Sequence, residues 1–353
     1  MASVRFWSRM ITRVVGSKPM ECHLYVTDRC NLDCHYCTEY DNSVPHPQLE
    51  DLKRWIKKIA DLEVSVLNLQ GGEPLLHPDI VEIVRYSKSL GLGVTMSSNG
   101  FLLTKDLVAE LDRAGLDILQ LSVDRMTPID STRKSLKTVI PKMALLENSS
   151  IKYHISGVLF NDSVAEAGEV LEYGLGRNIP TQARLVHADP EGEFRVGADE
   201  RDDLMSMVDL QLAKKRNGEP VHTNSAILSY QRDMLGGTAP DWTCMAGYKF
   251  FFVSATGEFW LCSMRHDPGI SIMDVTPEIL RGFYTKKDCQ SGCGVYCVIS
   301  ASLFAKNPVR FIAKEVRDRA QALFGRLISG GTVKPLPLPP IAAGTALPMA
   351  PGA

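Results

Sequence analysis

The stretch Thr27-Asp-Arg-Cys-Asn-Leu-Asp-Cys-His-Tyr-Cys37 determines how the rest of the chain is interpreted. It places cysteines at positions 30, 34 and 37, so that three residues and then two residues separate them. Three thiolates on one short loop can hold three corners of an iron-sulfur cube and leave the fourth iron without a protein ligand. A structural zinc loop, which is the alternative, would normally use four ligands in paired form. The spacing therefore favours a cluster with one iron open to chemistry.

Two further features accompany the cysteines. Tyr36 stands just before the last of them, and Gly71-Gly72-Glu73-Pro74 follows a strand-like apolar run. Together with the cysteine spacing, these residues resemble the radical S-adenosylmethionine (radical SAM) enzymes. The resemblance implies a 4Fe-4S cluster on the three cysteines, with S-adenosylmethionine chelated to the open iron. It also implies reductive cleavage of this cofactor to a 5′-deoxyadenosyl radical, with electrons from a flavodoxin- or ferredoxin-type donor.

The composition is that of an ordinary globular protein. The chain has 353 residues, of which 44% are hydrophobic and 23% are charged, and its formal net charge is -2. This length suits one large domain with a smaller one, and the charge gives no reason to expect nucleic acid as a partner. No secretory signal peptide is visible, so the nine cysteines indicate a reducing, cytoplasmic setting rather than a disulfide framework. Cys22 stands apart from the others and is interpreted as a small buried hydrophobic residue.

Strand-like and helix-like patterns alternate six times from residue 20 onward. The apolar or β-branched runs lie at about residues 22–27, 64–70, 92–98, 117–123, 152–159 and 180–186. Helical patterns follow them at about residues 48–61, 78–89, 104–114, 133–147, 163–176 and 199–216. Such alternation indicates a parallel sheet with right-handed crossovers, and eight units would close a full barrel. Six units predict an α/β fold with a partial (β/α)6 TIM-type barrel over residues 20–216, as the resemblance also implies.

Loops at the carboxyl ends of parallel strands carry the active site in such sheets. Polar residues at the ends of three further predicted strands are therefore candidates for cofactor binding: Ser98, Asn99, Ser122, Asp124 and Arg184. Hydroxyl and carboxyl groups there could hold ribose or the methionine carboxylate, with strand-end capping as the alternative. Arg184 would be costly inside a barrel unless an anion pairs with it, and the cofactor carboxylate is one candidate.

The two glycines and Glu73 form the other predicted part of the cofactor site. Glycines let backbone approach a ligand closely, and Glu73 can accept a charge-assisted bond from the ligand's ammonium group. The resemblance assigns this role to Gly71, Gly72 and Glu73. It also implies that Tyr36 packs on adenine, as an aromatic residue beside a cluster ligand can do.

A second group of cysteines follows at positions 244, 262, 289, 293 and 297. Apolar runs on both sides of Ala255-Thr256-Gly257 predict a β-hairpin that brings Cys244 and Cys262 together. The pattern of a cysteine, twelve residues, Gly257, four residues and a cysteine resembles the auxiliary-cluster domain of SPASM and twitch radical SAM enzymes. Five cysteines rather than the seven of the full SPASM pattern imply one auxiliary 4Fe-4S cluster, within residues 217–300, held by four of the five.

The auxiliary cluster has three candidate roles. It can accept the electron left on a substrate radical, bind substrate at an open iron, or only stabilise the fold. The fifth thiol is spare, and among Cys289, Cys293 and Cys297 it could return a hydrogen atom to a substrate radical. The overall reaction would then be a redox-neutral epimerisation.

The two ends of the chain have distinct patterns. The pattern of residues 1–19 predicts a basic amphipathic helix, which could lie in a membrane interface or dock on the protein's own surface. Residues 301–331 suggest a basic C-terminal helix, and residues 332–353 suggest a disordered tail rich in proline and alanine. No apolar run reaches the length of about 20 residues that a spanning helix needs.

These features predict a radical SAM oxidoreductase that takes a hydrogen atom from an unactivated C-H bond. Family members that modify ribosomal peptides often carry an extra recognition domain before the barrel, whereas only about twenty residues precede the first strand here. A small molecule, a sugar or a lipid is therefore the expected substrate, and maturation of a ribosomal peptide is the alternative. A hypothesis of another class is a non-catalytic iron-sulfur redox sensor.

Overall fold

Strands and helices alternate along the barrel region as predicted. The computed structural model describes residues 18–37, 39–130, 132–159, 163–185, 198–238, 242–290 and 292–329. The six strands are β1 (Glu21–Thr27), β2 (Val66–Gly71), β3 (Gly93–Ser98), β4 (Ile118–Ser122), β5 (Lys152–Leu159) and β6 (Thr181–Leu185). The helices after them are α1 (Leu49–Asp61), α2 (Ile80–Ser89), α3 (Lys105–Ala114), α4 (Leu136–Leu146), α5 (Val164–Gly176) and α6 (Ala198–Arg216). Every predicted element of the barrel is present, with ends that differ by at most three residues.

The six strands form one parallel sheet that does not close on itself. They lie side by side in the order β6-β5-β4-β3-β2-β1, and each neighbouring pair is parallel. No pairing joins β1 to β6 among the described residues. Because six βα units are too few to complete the barrel, the fold is a partial TIM-type barrel. This confirms the predicted fold class.

The outer face of the sheet carries the main hydrophobic core. Side chains alternate between the two faces of a strand, and in β1 the outward residues Cys22, Leu24 and Val26 are fully buried. Helix α1 covers them with an apolar stripe that includes Leu52 and Ile56, also fully buried. Burying each such aliphatic side chain contributes roughly 1.5–3 kcal/mol. Cys22 is thus a core residue, as predicted.

The cysteine-rich region extends the barrel sheet. Strand β7 (Phe250–Val253) pairs parallel with β1, and β8 (Glu258–Cys262) pairs antiparallel with β7, which confirms the predicted hairpin. A further strand that the sequence patterns did not suggest, β9 (Arg265–Ser271), forms the edge. The turn needs Gly257, which has φ +82°, and an added Cβ would lie 2.5 Å from the Trp55 ring of α1. The auxiliary region is therefore continuous with the barrel through β1.

The C-terminal helical region differs from the prediction of one helix at residues 301–331. Besides α7 (Ser225–Leu235) and the short α8 (Pro277–Gly282), the chain forms α9 (Tyr296–Lys306) and then α10 (Pro308–Ser329). The break falls at Asn307, whose φ of -153° is extended, because a residue before proline avoids the helical region. Helix α9 starts at Tyr296, before the predicted start at residue 301, and therefore includes Cys297.

Two predictions fall on residues outside the described ranges. The tail at residues 332–353 lies wholly outside them, and the amphipathic helix at residues 1–19 does so except for its last two residues. Both stay predictions. Within the described ranges, no helix combines the length and apolar character that crossing a bilayer requires.

Candidate cofactor and substrate site

Inward-facing side chains of the strands line a cavity of about 720 Å³. Many of these side chains are polar, such as Gln120 of β4, His154 and Ser156 of β5, and Gln182 of β6. His154 stacks on the ring of His222 at a centroid distance of 3.9 Å. Burial lowers the pKa of His154 well below its ordinary value, so this ring is neutral. The inside of the barrel thus offers hydrogen-bonding groups at several depths.

The three cysteines of the first motif lie in the loop after β1 and line this cavity. The loop is fixed by backbone bonds, including one from the amide of Cys37 to the carbonyl of Cys34 at 2.9 Å. The amide of Cys30 donates to Oδ1 of Asn42, also at 2.9 Å. Burial raises the pKa of the Cys30 thiol to about 11. The site therefore favours neutral thiols unless a metal centre compensates the thiolate charge.

The donor set fits a 4Fe-4S cluster. Three soft thiols reach one cavity from one loop, and a cubane takes one thiolate at each corner iron instead of several at one metal ion. The described residues include no group of three or more His, Cys, Asp or Glu side chains arranged to hold a metal ion.

The two glycines after β2 are required by neighbouring backbone. A Cβ on Gly71 would lie 1.9 Å from the carbonyl oxygen of Thr27, and a Cβ on Gly72 would lie 2.3 Å from that of Arg29. The amides of Gly72 and Glu73 donate to these same two carbonyl oxygens at 2.9 and 2.8 Å. The glycines thus let the loop after β2 bind the start of the cysteine loop, a packing reason that the sequence did not reveal.

Glu73 is fully buried and links the ends of two strands. Its Oε1 accepts from Ser98 Oγ at 2.8 Å and from the amide of Leu75 at 3.1 Å. Its Oε2 accepts from the amide of Asn99 at 2.7 Å. Burial raises the pKa of Glu73, while these three donors lower it. Since Oε2 has a single donor among the described residues, it retains a lone pair for a ligand.

Ser98 and Asn99 are engaged by the protein itself. The Ser98 hydroxyl also accepts from the amide of Gly100 at 2.9 Å. The Asn99 side chain donates to Oδ1 of Asn31, inside the cysteine motif, at 2.8 Å. Both residues therefore hold the loops around the site together, which is close to the strand-end capping alternative. The direct contact with ribose or carboxylate that was predicted for them stays a prediction.

Asp124, which is buried, and Tyr36, which is partly buried, form a hydrogen-bonded pair near the cysteines. The Tyr36 hydroxyl donates to Oδ2 of Asp124, and Oδ1 of Asp124 accepts from the amide of Val158 at 3.0 Å. Asp124 thus orients the aromatic ring that the sequence assigned to adenine packing. Ser122, two residues earlier, lines the cavity and its hydroxyl makes no hydrogen bond with any described residue.

Lys134 is a site residue that the sequence patterns did not single out. Its Nζ donates to the Tyr36 hydroxyl at 3.0 Å and lies 5.2 Å from the centre of that ring. Burial alone lowers the pKa of Lys134, but Tyr36 and Asp124 raise it well above its ordinary value, so the group is a cation. No local motif marks this lysine, because it reaches the cysteine loop only through the fold.

The five later cysteines separate into two sets. Burial raises the pKa of Cys293 to about 12, and the charges of Cys244, Cys262 and Cys289 contribute to this rise. Cys297 differs from them because it alone of the five lines the cavity described above. Burial raises the pKa of Cys297, and Glu21 is the next largest cause.

Arg184 also lies in this cavity, as predicted for an anion-binding residue. Its guanidinium lies 5.0 Å from the centre of the Tyr296 ring, at the start of α9 and next to Cys297. Its Nε donates to Ser156 Oγ and its Nη2 to Gln120 Oε1, each at 2.8 Å. The cavity thus has two cations, each beside a tyrosine that precedes a cysteine.

The fold and the site together define a partial-barrel protein built around a cysteine loop at the carboxyl ends of its strands. Residues 24–172 match the family model described as the radical SAM superfamily. This stretch, which is less than half of the chain, is therefore similar to the radical SAM superfamily. The cofactors of this family are a 4Fe-4S cluster and S-adenosylmethionine, as the sequence predicted.

Three curated proteins are similar in sequence. The "AdoMet-dependent heme synthase" of Methanosarcina barkeri is 40% identical over 102 residues, covering 28% of this chain and 29% of that protein. The "PqqA peptide cyclase" of Gluconobacter oxydans is 31% identical over 173 residues, covering 46% and 48%. A "Probable GTP 3′,8-cyclase" of Saccharolobus solfataricus is 27% identical over 291 residues, covering 76% and 90%. The match thus spans less than half the length of the first two relatives.

Two solved structures share the fold. SuiB of Streptococcus suis has a TM-score of 0.60 and 16% identity, covering 82% of this chain and 70% of that one. Native anSMEcpe with bound AdoMet has a TM-score of 0.55 and 15% identity, covering 88% and 99%. The likeness reaches beyond the barrel and includes part of the cysteine-rich region, so the fold is shared over most of the chain.

Proposed function

We propose that this protein is a radical SAM enzyme that removes a hydrogen atom from a substrate held in the barrel cavity. When bound on Cys30, Cys34 and Cys37, the cluster and S-adenosylmethionine supply reductive cleavage to a 5′-deoxyadenosyl radical. The observation that carries the proposal is that these cysteines share one cavity with the Gly71–Glu73 loop. The polar barrel interior then lies next to the cofactor, where a substrate can be held and water excluded.

The residues around the cysteine loop have distinct proposed roles. Tyr36 packs on the adenine ring, and Asp124 holds its hydroxyl so that the ring cannot turn. Lys134 supplies a positive charge for the methionine carboxylate, and the free hydroxyl of Ser122 serves the ribose. The remaining lone pair of Glu73 Oε2 accepts from the cofactor ammonium group, while Ser98 and Asn99 keep this carboxylate in place.

An auxiliary 4Fe-4S cluster is proposed on Cys244, Cys262, Cys289 and Cys293. The charges of the other three thiols contribute to the raised pKa of Cys293, which supports this set, and Cys262 ends the strand that pairs with β7. Since β7 pairs with β1, a short path of sheet connects this region with the first cysteine loop. A centre there is suited to take up one electron from the substrate side, which makes the overall reaction an oxidation.

A small polar molecule is the proposed substrate class. Polar side chains from β4, β5 and β6 face the cavity, where they can exchange hydrogen bonds with a polar substrate but not with the apolar chain of a lipid. Sugars and similar metabolites suit such a surface. A peptide substrate is the alternative, supported by the likeness to the PqqA peptide cyclase and to SuiB, which has been solved bound to precursor peptide SuiA.

Anaerobic reconstitution and dithionite reduction provide the direct test. We expect the protein to form 5′-deoxyadenosine from S-adenosylmethionine, slowly and without substrate, as measured by chromatography. The redox-sensor hypothesis predicts iron-sulfur absorption without this product. A fully loaded protein that yields no 5′-deoxyadenosine above the rate of free dithionite and cofactor would refute the proposed activity.

A second candidate function, redox-neutral epimerisation, is supported by the placement of Cys297 in the cavity. The Cys297 S-H bond would break and a C-H bond would form on the substrate radical. The resulting thiyl radical would regain one electron from the ferredoxin- or flavodoxin-type donor and one proton from solvent. Of the five later cysteines, this assigns the spare thiol to Cys297.

Replacing Cys297 with serine tests this assignment. We expect Cys297→Ser to keep about eight irons per chain, because both clusters retain their ligands. N-methylmaleimide should label Cys297 in the loaded wild type, measured by peptide mass spectrometry, while the four auxiliary ligands are protected. If Cys297→Ser instead lost about four irons, Cys297 would be a ligand and the epimerase candidate would fail.

A further inference from the structure

Arg184 is a partly buried cation in the lining of the cavity, and its hydrogen bonds are with neutral groups. Its two hydrogen-bond acceptors are the hydroxyl of Ser156 and the amide oxygen of Gln120, and its third neighbour is the Tyr296 ring. None of the ion pairs between described residues includes Arg184. The cost of desolvating this guanidinium is therefore not offset by a carboxylate in contact with it.

Two buried cations among the described residues have carboxylate partners. Arg125 pairs with Glu166 at 2.8 Å, and Lys215 pairs with Glu315 at 3.3 Å. Four acidic residues line the same cavity, namely Glu21, Glu39, Glu73 and Asp124, and each has another partner. Asp124 accepts from Tyr36, and Glu21 lies 2.8 Å from His23 Nε2. Arg184 is thus a partly buried positive charge that lines the cavity and forms no ion pair with a described carboxylate.

The hydrogen-bond partners of the Arg184 guanidinium lie before the carboxyl ends of their strands. On β6, Arg184 is level with Val158 of β5, near the carboxyl ends of the strands. Its hydrogen bonds go to Ser156, two residues earlier on β5, and to Gln120, two residues before the end of β4. The side chain therefore extends from the carboxyl end of β6 toward the middle of the strands. Lys134, in contrast, is the cation that contacts Tyr36 beside the first cysteines.

We propose that Arg184 binds an acidic group of the substrate, a carboxylate or a phosphate, in a subsite formed with Ser156, Gln120 and Tyr296. A guanidinium presents several donors in a fixed plane, and two of them are already oriented by neutral acceptors. The proposal rests on the proposed function, since it names the class of molecule held beside the cofactor. It places the substrate's acidic end next to Cys297. It also assigns the binding of the cofactor carboxylate to Lys134 instead of Arg184.

The test compares Arg184→Gln with Lys134→Gln in the reconstituted protein. We expect Lys134→Gln to weaken S-adenosylmethionine binding roughly 10- to 100-fold, measured by equilibrium dialysis, because a charge-assisted bond is lost. Arg184→Gln should leave this affinity within about twofold. If Arg184→Gln lost cofactor affinity and Lys134→Gln did not, Arg184 would be the residue that binds the cofactor carboxylate, and the proposal would be overturned.

Simple anions test the subsite itself, with S-adenosylmethionine present so that the cofactor position is filled. Inorganic phosphate and acetate are each titrated at constant ionic strength against chloride, and the midpoint of thermal unfolding is followed. We expect at least one of them to raise the wild-type midpoint, and the stronger one identifies phosphate or carboxylate as the preferred group. Arg184→Gln should remove this rise, and Arg184→Lys, which keeps the charge, should retain part of it.

Each outcome bears on one proposal. If neither anion affects the wild type, or if Arg184→Gln responds as the wild type does, the acidic-group subsite is refuted. The formation of 5′-deoxyadenosine without substrate reports the proposed function separately. A wild type that forms this product but ignores both anions would refute the subsite alone.

Discussion

Replacing Cys37 with alanine should lower the iron content from about eight to about four per chain and abolish 5′-deoxyadenosine formation. Cys37 lines the barrel cavity with Cys30 and Cys34, and its loop cannot offer a fourth thiol in exchange. A cluster held by two thiolates would be lost during reconstitution. Iron assay and chromatography of the same sample measure both effects.

Cys22→Ala is the matched control. Cys22 is a fully buried cysteine on the outer face of β1, in the same sequence region but under α1. Its loss should cost about 1 kcal/mol of folding free energy and leave the iron content unchanged. Cys293→Ser completes the comparison, since it should lose about four irons while cofactor cleavage without substrate persists. A Cys37→Ala protein that retained about eight irons would contradict the proposed cluster position.

The barrel could be predicted because its signals are local and repeated. Each buried parallel strand forms an apolar run, and each covering helix shows the 3.6-residue period, as in α1 with Leu52, Ile56 and Ile59. The hairpin at Gly257 had an equally local turn signal. The pairing of β7 with β1 had none, because it joins segments more than two hundred residues apart in sequence. Edge strand β9 was missed because four consecutive residues, from His266 to Gly269, are exposed and show no apolar alternation.

The candidate site was predictable where the chemistry sits in one short motif. The cysteine loop, Tyr36 and the Gly71–Glu73 loop all line the cavity. Lys134 could not be found in this way, because its contact with Tyr36 spans 98 residues of sequence. The proposal that Cys297 is the spare thiol likewise required the structure, which places Cys297 at the start of α9 and in the lining of the cavity.

The polar residues at the carboxyl ends of the strands show that such a position does not by itself define a role in ligand binding. Ser98, Asn99 and Ser122 looked equivalent in sequence, yet only Ser122 keeps a hydroxyl without a partner among the described residues. Ser98 and Asn99 instead fix Glu73 and the cysteine motif. Predictions of direct ligand contact are therefore strongest for Ser122. For the other two, we expect an indirect effect through the position of Glu73.

Replacing Gly71 with alanine should destabilise the protein by about 4 kcal/mol or more and prevent loading of the first cluster. Gly71 has φ +131°, which L-residues rarely adopt, and its added Cβ would lie 1.9 Å from the Thr27 carbonyl oxygen. That atom is backbone and cannot move aside without shifting the end of β1. The cysteine loop starts at this point, so relief of the clash would displace the cysteines. Urea unfolding of the cluster-free protein and iron content after reconstitution measure the two consequences.

Gly282→Ala is the control for glycine replacement in general. An added Cβ at Gly282, the last residue of α8, meets no atom within 4 Å. Its stability should therefore change by less than about 0.5 kcal/mol, and it should load both clusters. If Gly71→Ala were as stable and as fully loaded as Gly282→Ala, the link between the loop after β2 and the cysteine loop would be wrong. If Gly71→Ala were unstable yet bound about eight irons, the glycine would be needed for the stability of the sheet and not for cluster binding. The proposed dependence of the cluster on this contact predicts that stability and iron content fall together.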